Sequence, residues 1–69
     1  MQKTNPTISD LIRKTRIDLQ LTQVQLAELA NVEQSNLSKW ERGEKSPWLE
    51  TVQRLATAMK VDYKSLLPD

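Results

Sequence analysis

The sequence predicts a single all-α domain of five short helices over residues 1–69. Three observations predict it. The chain holds one glycine and no phenylalanine, has few β-branched clusters and is rich in Leu, Ala, Gln, Glu, Lys and Arg, a helix-forming composition with almost no hairpin chemistry. Apolar residues recur three and four apart in successive segments. Capping and stop residues fall between those segments. With no cysteine and no histidine, neither a disulfide nor a zinc ligand set can reinforce so small a fold, so packing alone must hold it.

The first helix starts at Thr7, which follows Pro6 and suits an N-cap. It carries Ile8, Leu11, Ile12, Thr15 and Leu19 on one stripe, with Ile17 off it. Thr22 starts the second, Gln25 completes a capping box, and Leu26, Ala27 and Ala30 share a face. Asn31 tolerates left-handed backbone and ends that helix after two turns. The third runs from about Gln34 to Arg42, turns Leu37 and Trp40 inward and stops at Gly43. After a polar connection, Pro47 suits the first turn of a fourth helix whose inward face bears Leu49, Val52, Leu55, Ala56 and Met59. Asp62 caps a last short helix that delivers Leu66 and Leu67 before Pro68 stops it.

Ten Lys and Arg against nine Asp and Glu leave a net charge of +1, so charge alone announces no nucleic-acid partner. No stretch approaches the roughly 18 to 20 apolar residues of a membrane span, and the first residues lack a signal-peptide run. A cytoplasmic protein without a membrane partner is the expectation. Chemistry is sparse as well. There is no thiol nucleophile or imidazole, Gly43 alone cannot form a phosphate-cradling loop, and Glu41, Glu44 and Glu50 have no identifiable catalytic partner. The sequence therefore predicts no enzyme, no catalytic residue, no metal site and no cofactor.

Two short helices joined by a link of three or four residues, over about 22–42, form a helix-turn-helix pattern. Spacing alone suits an αα-hairpin in a generic bundle at least as well. The exposed residues bear on the choice. With Leu37 and Trp40 inward, Gln34, Ser35, Ser38 and Lys39 lie on the outer face of the third helix, and Glu33 stands at its start. These are groups that pair with base edges: Gln with adenine, Lys with guanine, Glu with cytosine and Ser with either. A merely solvated face would hold more Glu–Lys pairs, although Gln and Ser occur on any helix surface. Gln23 near the start of the second helix, and Asn36, Arg42 and Lys45 around the third, are placed to meet phosphates. Trp48 is the one large apolar group that the fourth helix does not claim, and it suits a core edge and an interface equally.

The run Leu21-Thr-Gln-Val-Gln-Leu-Ala-Glu-Leu-Ala-Asn-Val-Glu-Gln-Ser-Asn-Leu-Ser-Lys-Trp-Glu-Arg-Gly, followed by Pro47 to Leu67, resembles the lambda-repressor-like (Xre/Cro/CI) helix-turn-helix family. The match covers nearly the whole chain. Its elements are Thr-Gln opening the second helix, Leu-Ala within it, Trp-Glu-Arg-Gly closing the third and a proline before the fourth. The resemblance implies a compact five-helix fold and a phosphate contact from the Gln23 position. It implies base contacts from Glu33, Gln34, Ser35 and Lys39, and backbone contacts from Asn36 and the residues after Gly43. It also implies a largely buried ion pair between Arg16 and Glu41. The family often has glycine where this chain has Gln20, Asn31 and Lys60, and a small hydroxyl residue where it has Glu33. A carboxylate there repels phosphate unless it meets a cytosine amine.

These readings converge on a sequence-specific DNA-binding transcriptional regulator of phage or bacterial type. It would be a repressor that docks as a dimer on a palindromic operator with the third helix in the major groove. An antitoxin, which would add a protein partner, or a restriction-modification controller would use the same fold and chemistry. A protein-interaction module without base reading is the alternative from another class. One recognition helix reads only about four to six base pairs, so two copies are required. The isologous surface falls on the fifth helix and the loop before the fourth, formed by Trp48, Tyr63, Lys64 and Ser65, with the last three opposite Leu66 and Leu67. So small and polar a patch predicts a weak homodimer, formed or strengthened on double-stranded DNA.

Overall fold

A computed structural model describes residues 7–68. Among these the chain forms α1 (Ile8–Asp18), α2 (Gln23–Ala30), α3 (Gln34–Glu41) and α4 (Leu49–Met59), followed by one 3-10 turn at Tyr63–Leu66, with no strand. The predicted fifth helix is therefore a single 3-10 turn. Ser65 N–H donates to the Asp62 carbonyl at 2.9 Å and Leu67 N–H to that of Lys64 at 3.2 Å. The Asp62 carboxylate accepts from Lys64 N–H at 3.0 Å, and four residues before Pro68 leave no room for an α-helical turn to propagate.

Two helices open on reciprocal caps. Thr22 Oγ1 accepts from Gln25 N–H at 3.0 Å while Gln25 Oε1 accepts from Thr22 N–H at 2.8 Å. Thr7 and Asp10 make the same box at the head of α1, where the sequence predicts only the Thr7 cap. Pro47, placed by sequence inside the first turn of α4, lies outside it. Trp48 is the N-cap with extended backbone (φ −67°, ψ 156°), so the helix begins only at Leu49.

All four α-helices end alike. Gln20 (φ 61°), Asn31 (φ 56°), Gly43 (φ 76°) and Lys60 (φ 59°) are left-handed. The residue after each donates its N–H five residues back, Leu21 to Arg16, Val32 to Ala27, Glu44 to Lys39 and Val61 to Ala56, at 2.9 to 3.1 Å. Leu21, Val32 and Val61 then pack on the core, which is the hydrophobic contact that completes such an ending. Glu44 is the exception, being exposed.

Every element sends a side chain to the same interior. Ile12, Leu26, Leu37, Val52, Leu55 and Leu66 are fully buried, joined by Ala27, Ala30, Trp40, Ala56 and Met59. Truncating any of the six to alanine removes contacts from a core that has no other reinforcement, at about 2 to 5 kcal/mol for a leucine or isoleucine. Leu19 and Leu49, read as inward from periodicity, are 45% and 53% exposed. Leu19 is the C-cap of α1 and Leu49 the first residue of α4, where the stripe overruns the packed length of the helix. Tyr63, expected opposite Leu66, instead packs against the core. With three residues per 3-10 turn, positions three apart eclipse, so Tyr63 lies over Leu66 while Lys64 and Ser65 face outward.

Candidate nucleic-acid interface

Two helices begin close together because the left-handed turn at Asn31 and the extended Glu33 fold α3 back across α2, where Leu37 packs in the same core as Leu26. Arg54 on α4 braces this turn, donating to the Asn31 carbonyl at 2.7 Å. Gln23 and Gln34, the first residues of α2 and α3, meet: Gln34 Nε2 donates to Gln23 Oε1 at 2.7 Å. Gln23 Nε2 donates in turn to Glu41 Oε1 at 3.1 Å.

Glu41 is the anchor of this chain. Its carboxylate receives Arg16 side-on, Nε to Oε2 at 2.7 Å and Nη2 to Oε1 at 2.9 Å, while Arg16 Nη1 donates to the Leu21 carbonyl at 2.8 Å. The side chains are 13% and 2% exposed respectively. A carboxylate so buried is tolerable because it accepts three hydrogen bonds, two from the Arg16 guanidinium and one from the Gln23 amide. The route thus runs from α1 through the C-terminus of α3 to the two helix starts. It ends at Gln34, whose side chain is exposed and retains an unengaged Oε1 and one N–H.

Around that end point, Glu33, Ser35 and Lys39 are exposed, and Glu33 makes no capping bond although it is the N-cap of α3. Ser38 is half-buried and its Oγ accepts from Arg42 Nη1. Arg42 is also held side-on by Glu44, Nε to Oε2 at 2.7 Å and Nη2 to Oε1 at 3.2 Å. The Arg42 hydrogen bond holds the Glu44 carboxyl below the usual carboxylate range, and the same bond raises the Arg42 guanidinium. Lys45 Nζ donates to Asn36 Oδ1 at 3.4 Å. Glu44 was read from sequence only as a carboxylate without a partner. The signal available was its position: the other three residues that follow a left-handed helix end are Leu or Val.

Trp48 is 83% exposed, which removes the core-edge alternative. It borders a groove with Glu33, Asn36 and Lys45. Tyr63, Lys64 and Ser65 do not line that groove, so the two halves of the sequence-predicted pairing surface are not brought together around it. Trp40, at the inner wall of the groove, is buried, and its Nε1 has no hydrogen-bond partner among the described residues. Among those residues no cluster of acidic side chains is arranged to hold a metal ion, and no helix is long and apolar enough to cross a membrane.

A family model described as helix-turn-helix matches residues 12–66. The chain is 36% identical over 61 residues to the immunity repressor protein of Bacillus phage phi105, covering 88% of this chain and 42% of that protein's length. Among solved structures, the restriction-modification controller protein C.AhdI of Aeromonas hydrophila superposes with a TM-score of 0.84 at 28% identity, covering 87% of this chain and 91% of that one. The c2 repressor of P22, solved in complex with a synthetic operator, superposes with a TM-score of 0.80 at 30% identity, covering 88% and 92%.

Proposed function

The chain belongs to the helix-turn-helix family, and from that premise we propose that it is a sequence-specific DNA-binding regulator, a repressor that presents α3 to the major groove of a palindromic operator. The observation that carries the reading is the amide pair at the helix starts. Gln23 occupies one amide proton of Gln34 and leaves its Oε1 and second N–H outward, the acceptor and donor that an adenine edge requires at N6 and N7. Gln23 in turn keeps a second amide proton at the head of α2, where a phosphate oxygen and the helix dipole favour each other.

On this reading Glu33, Ser35 and Lys39 flank Gln34 at the base edges, and Ser38, whose Oγ accepts from Arg42, joins them once that guanidinium turns to a phosphate. Gln23, Asn36, Arg42 and Lys45 meet phosphates. A second copy completes the site, with Trp48, Lys64 and Ser65 offering the exposed groups for a weak contact on DNA. The likeness to the Aeromonas hydrophila controller, which extends over nearly the whole of both chains, supports a restriction-modification controller as the second reading, with the same interface.

Selection of bound sequences from a random duplex pool tests the proposal. The expected result is a pair of related half-sites centred about one helical turn, roughly 34 Å, apart, bound in a salt-sensitive manner. Recovery of no consensus, together with binding that ignores salt, would leave a protein-interaction module as the better reading.

A further inference from the structure

We propose that Glu44 is a restraint on sequence-independent DNA binding, holding Arg42 in a fork that offsets its charge and occupies its side-on N–H pair, so that a phosphate gains little from that guanidinium while the fork is closed. The inference rests on the DNA-binding reading above and adds a residue and a role to it.

The placement of Glu44 follows from the backbone. Gly43 takes φ 76°, Gly43 N–H donates to the Trp40 carbonyl at 3.1 Å, and Glu44 N–H donates to that of Lys39 at 3.0 Å. This folds the chain back over the last turn of α3 and fixes the Cα of Glu44 beside the side chains of Lys39 and Arg42. At the ends of α1, α2 and α4 the equivalent position is filled by Leu21, Val32 and Val61, which turn into the core. At α3 alone it is a carboxylate, and it turns to solvent and Arg42.

The geometry takes three of the five N–H donors of Arg42, among them the side-on pair with which a guanidinium grips an oxyanion. A guanidinium binds phosphate best through two parallel N–H groups, and here Nε and Nη2 both go to Glu44 while Nη1 goes to Ser38 Oγ. Because Ser38 lies one turn before Arg42, the same contacts draw the guanidinium back along the outer face of α3. The ionised Glu44 also lies within the field of Lys39. The cationic groups of this face, Lys39, Arg42 and Lys45, are therefore opposed by Glu33 and Glu44. With a net charge of only +1 over the chain, no surplus elsewhere overrides that balance. A face so nearly neutral gains little from phosphates in general, and the base contacts must supply the preference.

The test is a two-by-two set: the native chain, Glu44→Gln, Arg42→Ala and the double variant, each titrated by fluorescence anisotropy against a labelled random-sequence duplex at several salt concentrations. Far-ultraviolet circular dichroism confirms that each variant is folded, and both side chains are exposed enough for truncation to spare the core. Glu44→Gln should bind the random duplex several-fold more tightly than the native chain. One further neutralised phosphate steepens the salt dependence by about 0.9 in the log–log slope, so the gain should be about 3.5-fold larger at 50 mM than at 200 mM salt. Arg42→Ala should then lose several-fold more affinity in the Glu44→Gln background than beside native Glu44. Equal losses in the two backgrounds would overturn the proposal, since the gain would then be a general effect of removing one negative charge. So would unchanged affinity in Glu44→Gln. A native chain that binds neither operator nor random duplex at low salt would overturn the DNA-binding reading itself, and this inference with it.

Discussion

Glu41→Ala is the substitution whose consequence the structure fixes most closely. The Glu41 side chain is 2% exposed and receives three hydrogen bonds, two from Arg16 and one from Gln23. Truncation strands the Arg16 side chain, only 13% exposed in the intact pair, with the Leu21 carbonyl as its remaining partner, and leaves a cavity at the end of α3. Removing one member of a buried pair is worth about 3 to 5 kcal/mol. A 69-residue domain has on the order of 3 to 10 kcal/mol in total. Since 1 kcal/mol moves the midpoint of a domain this small by about 4 to 8 °C, a loss near 3 kcal/mol lowers Tm by at least about 12 °C. Circular dichroism at the helix band reads the midpoint directly. Arg16→Met with Glu41→Leu separates the stranded charge from the lost contact: with both ions gone, the double variant should recover much of the stability that Glu41→Ala loses. A Glu41→Ala midpoint within a degree or two of native would refute the reasoning, because it would mean that water reaches Arg16 and that the pair behaves as a surface contact of about 0 to 1 kcal/mol.

Other consequences are testable in the same terms. Lys60→Gly and Gln20→Gly should each leave stability unchanged or raise it by up to about 1 kcal/mol, because φ is positive at both and the side chain carries the left-handed penalty; a fall in the denaturant midpoint would refute this. Thr22→Ala should lose about 1 kcal/mol by opening the reciprocal cap of α2, measured by urea unfolding. Gln34→Ala and Lys39→Ala should each cost about 1 to 3 kcal/mol on the preferred operator and relax one base-pair position, whereas Gln23→Ala should weaken all duplexes and, by releasing the Gln34 amide, loosen the preference at the Gln34 position as well. Equal losses on operator and random duplex for Gln34→Ala would move that residue to the phosphate set. Five base pairs inserted between half-sites rotate one by about half a turn and should abolish cooperative binding in a gel-shift titration. Sedimentation at micromolar concentration should show mostly monomer, and a stable dimer there would contradict the weak contact.

Local signals carried most of the fold. Thr22 with Gln25, Asn31 and Gly43 each act within four residues of themselves, so their roles could be taken from the sequence and their geometry agrees. What periodicity could not supply was the length over which a stripe is in contact with anything, and Leu19 and Leu49 fall just past that length. Nor does a helical period distinguish an α-helix from one 3-10 turn across four residues, which is why Tyr63 was assigned to the wrong face. The candidate interface is legible only as a set of residue types on α3. Its wiring is not, because Gln23 and Glu41 are 18 residues apart and meet only when α2 and α3 have packed. The resemblance supplied Arg16 with Glu41, whereas nothing in the spacing pointed to the join between Gln23 and Gln34 or to the fork between Glu44 and Arg42.

The two tryptophans occupy opposite extremes of environment. Trp40 is sealed in the interior on α3, and Trp48 stands almost fully in water at the head of α4. Indole emission shifts to the red with hydration, so the native chain should emit as two superposed bands, one from each ring. A small neutral quencher reaches Trp48 freely and Trp40 only when the interior opens. Loss of the blue component therefore reports unfolding, and protection of the red one reports that the groove beside Asn36 and Lys45 has been covered. Fold and occupancy can thus be followed separately in a single unlabelled sample.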